Sequence, residues 1–177
     1  MSLGGDLQDR YRSAIARFAT GVTVVTTCDG DRLAGMTASA VASLSLEPLL
    51  LLVCVSNHLP THAALERSGR FAVNVLGEED GKLALRFARP GADKFAGLSL
   101  TLDHGAPLLD RAIAHFVCDV RERLPGGDHS IFIGAVGHCR HAPGRRPLLY
   151  FASEFGGIRR TDDAFSEASE LLAMTAI

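Results

Sequence analysis

The chain has 177 residues and a formal net charge of −2, with 47% hydrophobic and 21% charged side chains. This length and balance predict one globular domain with a sizeable hydrophobic core rather than a disordered chain. The charge gives no electrostatic reason to expect nucleic acid, and no apolar run reaches the roughly 18 residues of a membrane-spanning helix, which argues against both kinds of partner.

The N-terminal part of the chain predicts a helix followed by a β-hairpin. Apolar side chains recur every three to four residues over Leu7–Ala19, the spacing of an amphipathic helix, and Thr20-Gly21 would end that helix. The β-branched run Val22–Thr27 predicts a strand. Because Asp29-Gly30-Asp31 is a turn signal, this strand should form a hairpin with Leu33–Ser43.

Small side chains dominate the stretch from Ala34 to Pro48, which lies between two strand-like runs. Glycine, alanine and serine let a backbone approach another group closely, and bare amides and hydroxyls suit the edge of a planar polar ligand. The alternative is a small-residue strand packed against a helix. The run Leu49–Val55 that follows is apolar at every position, so we expect a strand buried on both faces.

The middle of the chain predicts helix, strand and helix in turn. Thr61–Ser68 should form a short helix with Thr61 as its N-cap and Gly69 as its stop. Phe71–Leu76 predicts a strand. Glu78–Ala88 has apolar positions compatible with a helix that ends before a Pro-Gly pair.

The C-terminal part predicts further strands separated by turns. Asp93–Pro107 has no clear period, and Leu124–His129, with its proline, glycines and aspartate, is predicted to be a loop. The remaining predictions are strands at Ala112–Val120, Ser130–His141 and Pro147–Phe151, and a terminal helix or partner-dependent tail at Phe165–Ala173. Six or more short strands without a βα rhythm predict a mainly β protein, an antiparallel barrel with peripheral helices. We expect one domain over 1–177, with a core at about 11–160 and a tail at 161–177.

The four cysteines are scattered, without the short paired spacing of a metal site or a disulfide framework. The first residues lack a charged leader and a signal-peptide apolar region, so we expect a cytoplasmic protein.

Two histidine-containing segments could carry chemistry. His138-Cys139-Arg140-His141 suggests metal ligands, but neighbouring residues of a strand point to opposite faces, so we predict no metal site. Gly126-Gly127-Asp128-His129 precedes an apolar strand, and at a barrel rim His129 could assist a substrate or a proton transfer. The alternative is an ordinary hairpin turn with a solvated histidine. Neither a phosphate loop of the Walker type nor a Gly-x-Gly-x-x-Gly pattern is present.

Taken in order, several motifs resemble the flavin reductase family of FMN-binding split-barrel proteins, the NAD(P)H-dependent components of two-component monooxygenases. The resemblance runs from about Phe18 to Ile158. Its motifs are Phe18–Thr27, Gly35–Ala40, Ser45–Pro48, Gly69–Leu76, Arg86–Ala88, Asp93–Gly97, Gly127–His129 and Ile131–Gly134. It implies a six-stranded antiparallel split barrel, a homodimer, FMN or FAD as cofactor, NAD(P)H as co-substrate and a flavin-dependent oxygenase partner.

The resemblance also implies roles for particular residues. Thr61 would face the flavin phosphate at a helix N-terminus, Arg86 would pair with a phosphate or pyrophosphate, and Phe87 would be an apolar wall. His129 would be the catalytic residue and would contact the nicotinamide together with Phe155. The implied cofactor-binding residues are Gly35, Met36, Thr37, Ser39, Ala40, Cys54, Val55, Ser56, Thr61, Arg86 and Phe87.

The chain departs from the family pattern in two places. Leu59-Pro60 stand where a small polar residue is common, and Glu154-Phe155 stand where a basic residue and a tyrosine are usual. An acid at that position would repel dinucleotide phosphates. The sequence therefore does not decide whether the flavin is FMN or FAD, or whether the reductant is NADH or NADPH. The alternative function is a flavin-binding carrier without reductase turnover.

Overall fold

The computed structural model describes residues 3–91 and 93–159. Three helices, α1 to α3, span Leu3–Ile15, Pro60–Ser68 and Gly81–Ala88. Twelve strands, β1 to β12, span Thr20–Gly21, Thr23–Asp29, Arg32–Ala38, Val41–Leu46, Leu49–Ser56, Arg70–Val75, Leu100–Asp103, Ala106–Leu109, Ala114–Gly126, His129–His141, Leu149–Phe151 and Glu154–Gly156. None of these helices is long and apolar enough to cross a membrane.

Seven strands form one antiparallel sheet in the order β3-β2-β6-β9-β10-β5-β4. The two edge strands, β3 and β4, are joined by Ser39 and Ala40 alone, so the sheet has to curl until its edges meet. A hydrogen bond from Cys54 N to the Ala40 carbonyl, 3.0 Å long, marks this closure. The predicted antiparallel barrel is confirmed, with six strands if β3 and β4 are counted as one bent strand.

The barrel interior is packed with apolar side chains from all sides of the sheet. Val25, Val53, Phe71 and Phe132 are buried there together with Leu65 of α2. The helix α2 thus lies against the barrel core, and it places its N-terminal residues at the rim. Removal of these apolar side chains from water is the main contribution to the stability of such a barrel.

A second apolar cluster lies outside the barrel, beneath α3. Val24, Leu83 and Phe87 are buried in it. The start of α3 is held by Asp80, whose carboxylate is 1% exposed and lies 2.9 Å from the guanidinium of Arg111. A buried carboxylate keeps its charge only with such a partner, and this contact fixes α3 against the barrel.

The N-terminal helix is confirmed but lies earlier than predicted, since α1 ends at Ile15 rather than at Ala19. Its apolar side chains do not pack on the described part of the chain: Leu7 and Tyr11 are each 64% exposed and Ile15 is 51% exposed. The helical spacing therefore predicted the element correctly and left open what covers its apolar face.

Two predictions about the strands around Ala34–Pro48 were wrong. The single strand Leu33–Ser43 is divided, because β3 ends at Ala38 and β4 begins at Val41. The run Leu49–Val55 is not buried on both faces: Leu51, Val53 and Val55 are buried, whereas Leu50, Leu52 and Cys54 on the opposite face are only half-buried. One face of β5 covers the barrel core and the other lines an open groove, so a continuous apolar run did not imply burial on both sides.

The structure also corrects three boundaries. Thr61 is not the N-cap of α2: the helix begins at Pro60, with Leu59 as its N-cap, because proline suits the first helical position. Leu124–His129 is not a loop, since the turn of the β9–β10 hairpin consists of Gly127 and Asp128 alone. Gly127 has φ of +72°, the left-handed conformation that two-residue hairpins need.

The helix predicted over Glu78–Ala88 begins only at Gly81.

Other segments gained structure that the sequence did not predict. The region Asp93–Pro107 contains β7 and part of β8, which form a separate hairpin. The predicted strand Pro147–Phe151 is confirmed as β11 over Leu149–Phe151 and pairs with both β1 and β12. The helix or tail predicted at Phe165–Ala173 lies outside the described residues.

Candidate active site

A cavity of about 570 Å³ runs beside β3, between that strand, the start of α2 and the segment that follows α3. Its size lies within the usual range for small-molecule sites, roughly 300–1,000 Å³. Phe87 contributes an apolar wall, and the ring of Phe95 packs edge-on against it with centroids 5.0 Å apart. The cavity therefore offers flat apolar surfaces at its sides.

The main chain of β3 forms one side of this cavity. Because β3 is an edge strand, alternate N–H and C=O groups between Leu33 and Thr37 point away from β2 and stay unpaired by a neighbouring strand. Gly35 keeps this side narrow, since a Cβ there would lie 2.8 Å from Cε1 of Phe87. The glycine thus leaves room for the protein's own aromatic ring beside the strand.

Three polar side chains reach the cavity near α2 and α3. Thr61 is 4% exposed, and within residues 3–91 and 93–159 no hydrogen bond from its hydroxyl is found. Lys94 Nζ donates to the carbonyl oxygens of Phe87 at 2.9 Å and of Gly35 at 3.2 Å, which leaves one ammonium proton for a ligand. Burial lowers the pKa of Lys94. Together with Arg89, these groups could bind an anion.

Of the cofactor-binding residues expected from the sequence, five line this cavity together: Gly35, Met36, Thr37, Thr61 and Phe87. Thr37 is anchored by a hydrogen bond of 2.6 Å from its hydroxyl to the carbonyl of Ala84, which holds α3 against β3. The structure thus brings the Gly35–Thr37 segment, the start of α2 and the end of α3 to one place.

The other expected residues lie elsewhere. Ser39 and Ala40 are exposed beyond the end of β3. Val55 is buried in the barrel core, whereas Cys54 and Ser56 lie half-buried on the opposite face of β5. These five residues surround the point where the barrel closes and do not line the 570 Å³ cavity as described.

Arg86 points to a neighbouring cavity of about 430 Å³ on the outer side of α3. Its guanidinium donates to the carbonyl oxygens of Ala96 at 2.6 Å and of Asp93 at 3.3 Å. In this arrangement Arg86 supports the segment that carries Lys94 and Phe95 and does not face the space beside β3.

The two residues expected on the nicotinamide side lie on different strands. His129 begins β10 opposite Ser56, and its Nδ1 lies 2.7 Å from the carboxylate of Asp128. The hydrogen bond from His129 lowers the pKa of the Asp128 carboxyl. Phe155 lies on β12, with its ring centroid 5.6 Å from that of Tyr150.

Lys94, Arg89 and Phe95 line the cavity, and their place there was not predicted from the sequence. Lys94 and Phe95 belong to a motif that carries the family resemblance, which was the available signal. The histidines of the possible metal cluster are occupied differently: His138 Nε2 lies 3.4 Å from Asp103, and no metal-binding group of three or more His, Cys, Asp or Glu side chains occurs in the described ranges.

The family model described as the flavin reductase like domain matches residues 15–159. The chain belongs to this family. Its flavin reductase-like relatives include the reductase component of a 4-nitrophenol 4-monooxygenase/4-nitrocatechol 2-monooxygenase from Rhodococcus opacus. That protein is 40% identical over 146 residues, which cover 82% of this chain and 78% of the relative. An NADH-dependent FAD reductase from Streptomyces globisporus is 39% identical, with 85% of this chain and 86% of the relative covered.

Solved structures of flavin reductases have the same fold as this chain. Component B of nitrilotriacetate monooxygenase from Mycobacterium thermoresistibile superimposes with a TM-score of 0.85 at 34% identity and covers 92% of this chain and 96% of its own. The NADH:FAD oxidoreductase of Streptomyces globisporus C-1027, in complex with NAD and FAD fragments, has a TM-score of 0.82 at 36% identity, with 93% and 99% covered. The resemblance read from the motifs and the predicted fold class are confirmed.

Proposed function

We propose that the cavity beside β3 is the flavin site of an NAD(P)H-dependent flavin reductase. The chain is an oxidoreductase that supplies reduced FMN or FAD to a partner monooxygenase. The observation that supports the site is the combination, in one cavity of about 570 Å³, of an unpaired strand edge, aromatic walls and the polar groups of Thr61 and Lys94. The isoalloxazine ring is flat and has polar edges, and in FMN and FAD the ribityl chain attached to it carries a phosphate, so a bound flavin needs these three features.

Bound flavin supplies the hydride-accepting chemistry. The chain's own residues bind and orient: the β3 amides and carbonyls can pair with the polar edge of the ring, and Lys94 and Thr61 can hold a phosphate. Phe87 and Phe95 exclude water from the side of the site. Hydride transfer between stacked rings requires alignment rather than a strong acid or base, in agreement with a cavity that has no acidic side chain among its described lining residues.

Oxidation of NADH and of NADPH, each measured by nicotinamide absorbance with FMN, FAD or riboflavin as acceptor, tests this function. We expect flavin-dependent oxidation with at least one pair of substrates. Flavin that stays bound through dialysis, without any oxidation of either nicotinamide, would instead support a flavin carrier.

Loss of the Thr61 hydroxyl is expected to weaken binding of phosphorylated flavins. Thr61→Val keeps the shape of the buried side chain and removes the hydrogen bond to a charged group, which costs about 1.5 kcal/mol, or roughly tenfold in Kd. Fluorescence titration measures Kd for FMN and FAD, with riboflavin as the matched ligand that lacks a phosphate. An equal loss for riboflavin would show that Thr61 does not face the phosphate.

The nicotinamide site is proposed on the side of His129. The imidazole lies at the barrel rim opposite Ser56, 44% exposed and oriented by Asp128, so a planar ring could contact it. Phe155 would provide apolar contact from β12. Glu154, beside it, is exposed and would repel dinucleotide phosphates, so these should lie towards Arg89 rather than towards β12.

A homodimer is proposed from the apolar surface that the described chain leaves open. A groove of about 540 Å³ is lined by Phe18, Val41, Leu46 and Leu49 among others, and most of its wall is apolar. Phe18 is 73% exposed and continues the apolar face of α1. Patches of this kind mark interaction sites in proteins that otherwise bury their apolar surface, and a second copy offers the same apolar surface in return.

A charge in this groove is expected to dissociate the dimer. Leu46→Asp would place a carboxylate in the contact, and light scattering coupled to gel filtration should then give the mass of a monomer. Leu102→Asp is the control, because Leu102 is 64% exposed against 60% for Leu46 but lies on β7, outside the groove. A wild-type monomer, or a dimer that tolerates Leu46→Asp, would contradict the proposed interface.

Two further proposals complete the assignment. We propose a cytoplasmic location, where NAD(P)H is available; the free thiols of Cys28, Cys54, Cys118 and Cys139 agree with a reducing compartment. We also propose that 1–177 form one domain with its core at about 11–160.

A further inference from the structure

A chain of hydrogen bonds leads from buried residues of α2 and β10 to the exposed Asn57, beside the turn that precedes His129. His62 Nε2 lies 2.8 Å from Ser130 Oγ, which donates to Asn57 Oδ1 at 2.9 Å. His62 and Ser130 are only 7% and 6% exposed. Since breaking one of these contacts would leave a polar atom unpaired in the core, the chain holds one arrangement.

Asn57 connects this hydrogen-bond chain to the β9–β10 turn. Its backbone N–H donates to the carbonyl of Asp128 at 3.0 Å, and its side-chain Nδ2 donates to the carbonyl of Gly127 at 3.3 Å. These are the two residues of the turn, so Asn57 holds both. The carboxylate of Asp128 then accepts a hydrogen bond from His129 Nδ1.

The proton positions follow from the partners. Ser130 has one hydroxyl proton, which it gives to Asn57, so His62 must donate from Nε2. His62 Nδ1 lies 3.5 Å from Glu66 Oε2. The His62 ring also packs edge-on against Phe132, with centroids 5.3 Å apart. The plane of the ring is therefore fixed.

We propose that Asn57, Ser130 and His62 form a positioning unit that sets the place of the His129 imidazole beside Ser56. This inference rests on the proposed contact between His129 and the nicotinamide. Asn57, Ser130 and His62 act only through the turn, because none of them is among the described lining residues of the cavity. The β5–β10 ladder holds the backbone of His129 opposite Ser56, so the unit acts on the turn and, through Asp128, on the position of the imidazole.

Loss of the Ser130 hydroxyl would lower stability even if Ser130 had no effect on His129. The test therefore needs a second serine whose hydroxyl makes similar hydrogen bonds elsewhere. Ser68, near the end of α2, lies 2.6 Å from the hydroxyl of Thr27 and 2.9 Å from the carbonyl of Arg70. Ser68→Ala therefore removes hydrogen bonds similar to those lost in Ser130→Ala. It does so away from the β9–β10 turn.

The experiment compares Ser130→Ala with Ser68→Ala in the full chain loaded with FMN or FAD. Three quantities are measured: Tm, the separate KM values for NAD(P)H and flavin, and the imidazole NMR signals of His129, assigned with His129→Ala. Both variants should lower Tm. Only Ser130→Ala should shift the His129 signals and raise KM for NAD(P)H, by roughly fivefold for a small displacement of a contact group, with KM for flavin within about twofold of the wild type.

His129 signals that stay unchanged in Ser130→Ala would overturn the positioning proposal. If they shift but His129→Ala leaves KM for NAD(P)H unchanged, the positioning stands and the nicotinamide contact is wrong. In the double variant Ser130→Ala/His129→Ala, the increase in KM for NAD(P)H should be no larger than in His129→Ala alone, because Ser130 acts through His129. Should Ser130→Ala fail to fold, Asn57→Ala, at an exposed residue, removes the bond to Gly127 and carries the same NMR test.

Discussion

Replacing Gly35 with alanine is expected to cost both stability and flavin affinity. The new Cβ would lie 2.8 Å from Cε1 and 3.0 Å from Cδ1 of Phe87, and 3.1 Å from Cζ of Phe95. Phe87 is 1% exposed and cannot move inwards, so the two rings have to shift towards the cavity. Overpacking of this kind costs about 1–3 kcal/mol in the free energy of unfolding. We expect a loss of about tenfold in flavin affinity, equal for riboflavin, FMN and FAD.

Gly137→Ala is the matched control for this substitution. Gly137 also lies within a strand, and a Cβ there would meet nothing within 4 Å. Denaturant unfolding and flavin titration of both variants measure the two effects. Wild-type flavin affinity in Gly35→Ala would contradict the position of the site, because the rings that the Cβ displaces form its wall.

Replacing Lys94 with methionine is expected to lower the affinity for phosphorylated flavins more than any other single change. Methionine keeps the apolar stem and removes the ammonium. A hydrogen bond to a charged group contributes about 1.5–3 kcal/mol, so Kd for FMN and FAD should rise roughly 10- to 150-fold, while Kd for riboflavin should change less. The carbonyls of Phe87 and Gly35 also lose a donor, so stability should fall by about 1–3 kcal/mol.

Lys82→Met provides the control, because Lys82 is exposed on α3 and lines the neighbouring cavity rather than the one beside β3. This substitution also removes one positive charge, but it leaves the hydrogen bonds to the carbonyls of Phe87 and Gly35 intact. If Lys82→Met weakens FMN binding as much as Lys94→Met does, the effect is one of general charge and not of a direct contact with the phosphate.

Local patterns predicted the elements whose cause is local. The β-branched run Val22–Thr27 and the turn at Asp29-Gly30-Asp31 contain in themselves the strand propensity and the left-handed glycine that make a hairpin. The barrel followed from the number and spacing of such strands. The motif resemblance added the flavin reductase function, which the comparisons confirm and which the strand pattern alone does not contain.

Long-range packing decided the features that the sequence did not predict. Leu50 and Leu51 are equally apolar, yet only the tertiary fold determines which of them faces the barrel core. Lys94 reaches the cavity because Arg86 holds its segment through the Ala96 carbonyl, a contact between residues ten positions apart. Proline at the start of α2 moved the helix boundary by one residue and put Thr61 inside the first turn.

The crystal structure of this chain with oxidised FMN or FAD tests the position of the flavin site most directly. We predict that the tricyclic ring lies along Gly35–Thr37, with its phosphate within hydrogen-bond distance of Thr61 and Lys94. A ring bound elsewhere, for example in the apolar groove next to Phe18 and Leu46, with the space beside β3 filled by solvent, would contradict it.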